Sequence, residues 1–335
     1  MRCVHLFHGH WTRLSVAACA LATVVGMAAP SFAAVVSFGS GANQFNMEFV
    51  TIGNPNNVAD ITGSPNPAGA VAYEYGIGKF EVSEEMIDRY NANFGTANGL
   101  EITHYNRGTA KAATGVSWNE AARFVNWLNT STGNLTAYKF TTSGVNDDIA
   151  LWQSGDAGYN ASNPYRNSLA KYVLPSYNEW YKAAYYDRTN SIYYDYATGS
   201  NTAPTSVASG TAAGTAVYNQ EFDQGPADVN LAGGLSPYGV MGLGGNVSEW
   251  EESSLDRANG NGDSRRGRRG GSWSGPTSWL SSSDRYDASP DTGNDDFGFR
   301  VASLSSDAAV PEPSMMVIGT LFGLGGLMAK RRMKK

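Results

Sequence analysis

Apolar residues recur with a helical period after Ser117. They fall at positions i, i+3, i+4 and i+7 from Ala121 to Leu128, which places them on one face of a helix. Ser117 stands three residues before Glu120, and this spacing is typical of a capping box in which each side chain bonds the other residue's backbone N–H. The pattern predicts a helix that begins after Ser117 and buries one face.

Two further helix starts follow the same logic. Ser176 stands three residues before Glu179 and precedes a stripe of Trp180 and two alanines, which again indicates a capping box and a buried face. Ser83 is followed by two glutamates, and carboxylates in the first turn are favoured by the helix dipole. Three short helices are therefore predicted.

Most of the remaining chain shows no sustained period. The 39 glycines among 335 residues exceed the usual share of about 7%. Residues 34–69 are rich in Asn, Pro and Gly and predict an opening strand and loop, and residues 187–237 predict a long irregular excursion. We expect an α+β fold that is rich in loops, with short helices and little regular sheet.

The N-terminal 33 residues have the layout of a secretory signal. Arg2 and Arg13 supply positive charge, residues 14–29 are apolar and uncharged, and residues 31–33 offer small residues at the positions before a cleavage site. Removal by a signal peptidase is expected. The alternative is an N-terminal membrane anchor, which this run is short to form.

The C-terminal end carries a second predicted targeting segment. A linker at 304–313 ends in Pro-Glu-Pro, and the segment 314–335 contains an apolar run at 315–329 followed by a basic tail at 330–335. This order resembles the PEP-CTERM sorting signal of Gram-negative bacteria. The resemblance implies transient anchoring in the inner membrane by a C-terminal helix, processing by an exosortase, and delivery to the periplasm, outer surface or extracellular matrix. An ordinary tail anchor is the alternative.

The composition of the chain between these two segments limits the partners and reactions that we expect. The formal net charge is −6, and the two ends carry seven of the 24 basic residues, so the remainder is more acidic still. An acidic surface argues against binding nucleic acid or an anionic membrane. Cys3 and Cys19 lie in the predicted leader with His5, His8 and His10, which leaves His104 alone. Disulfides and thiol chemistry are therefore not expected.

Six motifs then occur in a recognisable order. They span residues 78–83, 115–121 with 127–129, 174–184, 244–250, 269–273 and 298–301. The series runs over residues 70–303 and resembles the formylglycine-generating enzyme (sulfatase-modifying factor) family. The resemblance implies a C-type-lectin-like α+β fold for that region.

The resemblance also defines which chemistry is missing. Enzymes of the family bind copper(I) with two cysteines just after the Gly-Gly-Ser-aromatic strand, and the matching positions here are Gly275 and Leu280. Neither residue supplies a thiolate. Iron-dependent relatives need several histidines, and His104 cannot build such a site alone. We therefore expect neither copper nor iron, and no formylglycine-generating activity.

A calcium site is the one family feature that the sequence retains in part. The resemblance implies that the backbone carbonyls of Gly245 and Val247 and the carboxylate of Glu249 hold Ca²⁺, a cation that prefers oxygen ligands. The usual fourth ligand falls on Gly242, which has no side chain. The alternative is a turn held by hydrogen bonds from Asn246 without any ion.

The predicted cleft contains Ser274 and Trp279. An aromatic face there suits a sugar ring or a peptide, although core packing of Trp279 is an equal alternative. We therefore expect an exported module that binds polysaccharide or peptide. The alternative is an enzyme of unassigned chemistry, dependent on a metal or on carboxylates. Five acids crowd the C-terminal region and are expected to be loop acids that accept hydrogen bonds from backbone amides, although paired carboxylates could also serve an enzyme: Asp284, Asp287, Asp291, Asp295 and Asp296.

Two local clusters have simpler interpretations. The arginines at 265, 266, 268 and 269 are expected to pair with neighbouring carboxylates. The oxygen-rich run 256–263 lacks the final glutamate of an EF-hand loop and is expected to be a solvated hairpin tip. His104 is expected to be structural.

Overall fold

The computed structural model of the protein describes residues 34–63 and 65–304. Three helices lie in this part of the chain: α1 (Glu84–Tyr90), α2 (Trp118–Ser131) and α3 (Tyr177–Tyr185). Its strands are β1 (Ala34–Phe38), β2 (Phe45–Ile52), β3 (Tyr75–Gly78), β4 (Tyr172–Val173), β5 (Tyr186–Asp187), β6 (Ile192–Tyr193), β7 (Thr205–Ser206), β8 (Thr215–Ala216), β9 (Ser248–Ser254), β10 (Arg266–Arg269), β11 (Tyr286–Ala288), β12 (Phe297–Gly298) and β13 (Ala302–Leu304).

The three predicted helix starts are confirmed. Ser117 Oγ accepts a hydrogen bond from the backbone N–H of Glu120, whose carboxylate accepts one from the Ser117 N–H in return. Ser176 and Glu179 make the same reciprocal pair at the start of α3. Each box satisfies two backbone donors that a helix start leaves without partners. The predicted leader 1–33 and the tail beyond 304 lie outside the described residues.

A five-stranded sheet joins the two ends of the described chain. Its order is β1-β2-β3-β13-β4, and all neighbours are antiparallel. Ile77 of β3 lies opposite both Val50 of β2 and Ala302 of β13. The opening region 34–69 therefore shares a sheet with the strands of 70–303.

A second sheet carries the region of the predicted site. Its order is β11-β10-β9-β12, with β12 parallel to β9 and the other pairs antiparallel. Every residue of β9 is buried, including three glutamates, so its charges need partners inside the protein. The 256–263 run connects β9 to β10, which confirms the predicted hairpin tip.

The core is rich in aromatic side chains. Helix α2 packs Phe124 and Trp127 against Phe45 and Tyr90, and the edge of Phe124 meets Phe299. Burying one such side chain contributes about 1.5–3 kcal/mol. A second apolar cluster surrounds α3 and the 75–77 segment. Residues 187–237 contain only two-residue strands and short 3₁₀ turns, as their irregular pattern predicted.

None of the helices in the described part of the chain is long and apolar enough to cross a membrane. The predicted C-terminal hydrophobic helix lies outside that part.

Candidate functional site

Strand β9 places Glu249 at the centre of the second sheet. The Arg300 Nε atom donates to Glu249 Oε2 at 2.6 Å and Arg300 Nη2 donates to Oε1 at 2.5 Å, while Trp180 Nε1 donates to Oε2 at 2.7 Å. Arg300 also donates to the backbone carbonyls of Gly78 and Met241. Both oxygens of this carboxylate are thus engaged by buried donors.

This geometry weighs against Glu249 as a calcium ligand. A guanidinium already supplies the positive charge that Ca²⁺ would bring, and a cation at Glu249 would lie beside Arg300. Both oxygens of Glu249 already accept hydrogen bonds, and calcium at the Gly245 turn stays a prediction.

Glu81 fills the position where the missing fourth ligand would project. A Cβ atom placed on Gly242 would lie 2.5 Å from Glu81 Oε1, so no larger residue fits there without movement. Asn246 Nδ2 donates to Glu81 Oε1 at 2.9 Å, and Asn246 Oδ1 accepts from the Ala227 N–H at 2.7 Å. Burial raises the pKa of Glu81 to about 8. Asn246 therefore holds this turn through side-chain hydrogen bonds.

The other glutamates of β9 are paired as well. Glu252 accepts from Arg166 Nε at 2.7 Å, and Arg166 also binds Glu179 through two nitrogens at 2.9 and 3.0 Å. Burial would raise the pKa of Glu179, but the adjacent Arg166 lowers it to about 2. Glu251 accepts from Arg269 and Arg285. These carboxylates are structural partners of arginines.

The arginine cluster divides into two kinds of contact. The expected pairing with carboxylates is confirmed for Arg269, which binds Glu251, and for Arg265, which binds Asp287. It is wrong for Arg266, which lies between the rings of Trp118 and Tyr165 and donates to backbone carbonyls. It is also wrong for Arg268, which stacks on Phe297 and donates to Ser248 Oγ. Aromatic faces stabilise these two cations instead.

Gly275 and Leu280, the positions that the resemblance matches to the family's cysteines, both lie in apolar packing. A Cβ atom on Gly275 would lie 2.3 Å from Cε3 of Trp279, so the indole ring covers that position directly. Leu280 is buried in an apolar cluster with Ala216 and Tyr218. The site has no room for a side chain at residue 275.

The half-buried ring of Trp279 forms part of an aromatic surface. It meets the edge of Tyr286 with ring centroids 5.4 Å apart, and Tyr286 is 39% exposed. Ser274, the other predicted cleft residue, is half-buried and directly precedes Gly275. Trp273 is fully buried and donates from Nε1 to the carbonyl of Phe222, so it belongs to the core. Sequence reasoning missed Tyr286, since no spacing along the chain connects β11 with Trp279.

His104 joins the loop after α1 to that helix. Its Nε2 lies 2.9 Å from Asp88 Oδ1, and its Nδ1 lies 3.6 Å from Glu84 Oε1. The nearby Glu84 carboxylate raises the pKa of His104; burial lowers it by less, and the hydrogen bond to Asp88 adds to the rise. These contacts agree with the structural role expected for it.

Two small sheets, one antiparallel and one mixed, together with short capped helices and long irregular segments define a loop-rich α+β scaffold. Residues 35–304 match the model of the sulfatase-modifying factor enzyme 1-like domain. The chain belongs to this family.

Solved structures share the fold at low identity. Treponema denticola variable protein 1 aligns with a TM-score of 0.54 and 20% identity over 81% of this chain and 98% of that one. CarF aligns with a TM-score of 0.55 and 20% identity over 77% of this chain and 98% of that one. No protein with a curated description matches the sequence. At such identity the likeness concerns the fold alone.

Proposed function

We propose that this protein is an exported, surface- or matrix-associated member of its family that binds polysaccharide or peptide and does not generate formylglycine. The observation that carries the proposal is the Trp279 ring lying over Gly275. It replaces a reactive thiol pair with an aromatic face, and aromatic faces bind sugar rings and peptide side chains. Trp279, Tyr286 and Ser274 form the proposed binding surface.

The proposal that the protein does not generate formylglycine can be tested directly, because Gly275 and Leu280 supply no thiol. The purified exported protein is incubated with copper and a sulfatase-derived cysteine peptide, next to an active formylglycine-generating enzyme. We expect mass spectrometry to find the aldehyde product only with the active enzyme. Aldehyde formation by this protein would contradict the proposal.

The binding half is tested on glycan and peptide arrays. Tyr286→Ala and Trp279→Ala are each expected to weaken binding at least tenfold. Tyr159→Ala is the matched control, because Tyr159 is 37% exposed and has no place in the proposed surface. Equal losses for the Tyr159 and Tyr286 variants, or unchanged binding by the Trp279 variant, would argue against this surface.

Export rests on the two terminal segments, which the structure does not describe. The N-terminal signal and the Pro-Glu-Pro tail support signal-peptidase and exosortase processing. N-terminal sequencing and intact-mass measurement of secreted material test this. A protein retained inside the cell with residues 1–33 intact would overturn the localisation.

Two acids near the surface favour the enzymatic alternative. Burial raises the pKa of Asp284, which neighbours Tyr286, and burial also raises the pKa of Asp296, which lies near Ser272 and Arg268. An acid with a raised pKa can serve as a proton donor. Consumption of an array ligand by the wild type, lost in Asp284→Asn or Asp296→Asn while binding persists, would favour the enzyme.

A further inference from the structure

Beside the Trp273 to Gly275 segment lies an arginine stacked between two aromatic rings. The guanidinium carbon of Arg107 is 4.8 Å from the ring centroid of Tyr105 and 4.7 Å from that of Trp273. Stacking of this kind attracts a cation to the ring faces and restricts the plane of the guanidinium. Arg107 is therefore held in a defined orientation at the surface, where it is only half-buried.

Only one end of this guanidinium is anchored. Nη1 donates to Thr114 Oγ1 and to the backbone carbonyl of Asp295, both at 2.7 Å. Across residues 34–63 and 65–304, no hydrogen-bond acceptor meets Nε or Nη2, and no carboxylate lies within 4.0 Å of the group.

The free edge is the one that recognises carboxylates. Nε and Nη2 point in parallel and bind the two oxygens of a carboxylate together. Inside the protein, Arg300 uses these same two atoms to hold Glu249. At Arg107 the same edge has no internal partner among the described residues.

Exposed aromatic side chains lie near Arg107. Tyr105 is 52% exposed and Phe222 is 48% exposed, and the ring of Phe222 lies 6.1 Å from that of Trp273. The loop that carries Phe222 passes close to the arginine, since a Cβ atom on Gly225 would lie 2.9 Å from Arg107 Cδ. The surface therefore combines an oriented cation with two exposed rings.

We propose that Arg107 binds the carboxylate of an acidic sugar, of the uronic acid type, in a polysaccharide that lies across Tyr105 and Phe222. This inference rests on the proposed binding function and names its ligand class. Each uronic acid unit carries a carboxylate next to a ring whose apolar face stacks on an aromatic side chain. Because the protein is acidic, its net charge repels such a polymer at long range, and the short-range contacts at Arg107 must outweigh this repulsion.

The test compares an oligogalacturonate with its carboxyl-reduced, neutral counterpart by calorimetry on the exported protein. The wild type is expected to bind the acidic oligosaccharide about tenfold more tightly. Arg107→Gln is expected to remove this preference, and Arg107→Lys is expected to reduce it, because lysine keeps the charge without the two parallel donors. Arg257→Gln is the matched control: Arg257 also stacks on a tyrosine, Tyr177, and lies apart from this surface.

Each outcome decides the inference. Equal affinity of the wild type for the two sugars overturns it, and this readout needs no variant, so a folding defect in Arg107→Gln does not affect it. If equal affinity is accompanied by weaker binding of both sugars to Trp279→Ala, the proposed polysaccharide function stands without the carboxylate. If neither sugar binds but the arrays show peptide binding, the acidic-sugar inference falls and a peptide function stands. If nothing binds in either format, both proposals fall.

Discussion

At the scale of single residues, Gly275 and Trp279 decide the character of the site. The glycine lacks the thiol that the family's oxidative chemistry requires, and the tryptophan occupies the space above it. A substitution at one position therefore affects the other, and the pair behaves as one packing unit.

Gly275→Ala is expected to destabilise the protein by about 1–3 kcal/mol, because the new methyl group forces the Trp279 ring to move. In the Trp279→Ala background, Gly275→Ala should lower the free energy of unfolding much less. Urea unfolding of the wild type, the two single variants and the double variant measures both effects. Equal costs in the two backgrounds would mean that the indole ring does not cover Gly275.

His104 is expected to make stability depend on pH. Its contacts with Glu84 and Asp88 raise its pKa above the ordinary 6.5, so the folded state binds the proton more tightly than the unfolded chain does. The contribution is fully present below pH 6.5 and is lost as pH rises through the folded-state value. His104→Gln should therefore lower the free energy of unfolding more at pH 5.5 than at pH 9. Urea unfolding at the two pH values measures this difference. A cost that does not change with pH would contradict this account.

At the scale of elements, β9 is a buried strand whose charges hold neighbouring segments together. Glu249 binds Arg300, Glu251 binds Arg269 and Arg285, and Glu252 binds Arg166. Charges in such positions cost free energy to bury and are tolerated only with their partners. The strand thus depends on arginines from several distant parts of the chain.

Arg166→Met is expected to cost about 3–5 kcal/mol, because it leaves Glu179 and Glu252 buried without their cation. Arg265→Met is the control. Its side chain is 58% exposed in its pair with Asp287, and exposed pairs contribute about 0–1 kcal/mol. Chemical denaturation of both variants measures the difference. Similar losses of unfolding free energy in the two variants would show that the buried pairs of Arg166 contribute no more than the exposed pair of Arg265.

At the scale of the whole molecule, the family scaffold is retained by a chain whose sequence differs widely from those of other proteins with this fold. The domain model matches residues 35–304, yet the solved structures with the same fold are only 20% identical. The packed core and the buried arginine–glutamate pairs stabilise this fold. The surface after the Gly-Gly-Ser strand is free to differ, since loops on a rigid scaffold tolerate substitution.

Removal of divalent cations is expected to leave the melting temperature unchanged. Arg300 already neutralises Glu249, and Glu81 fills the space beside Gly242, so the turn does not require an ion. Calorimetric melts with EDTA and with added calcium provide the measurement. A clear fall in EDTA that calcium restores would establish the ion site that the family resemblance implied.

The sequence determined the local elements and predicted which chemistry is missing. The helix starts at Ser117 and Ser176 follow from residues three positions apart, which interact whatever the rest of the chain does. The loss of the thiol pair follows from residue identity at Gly275 and Leu280. Neither conclusion needed long-range information.

Only the tertiary structure decided which partners the functional side chains have. Glu249 had the expected spacing for a calcium ligand, but Arg300, 51 residues away, takes both of its oxygens. Arg107 was unremarkable in sequence, and Trp273 reaches it from 166 positions later in the chain. Contacts of this kind depend on how distant strands and loops pack, and no pattern in one segment encodes what will be packed against it.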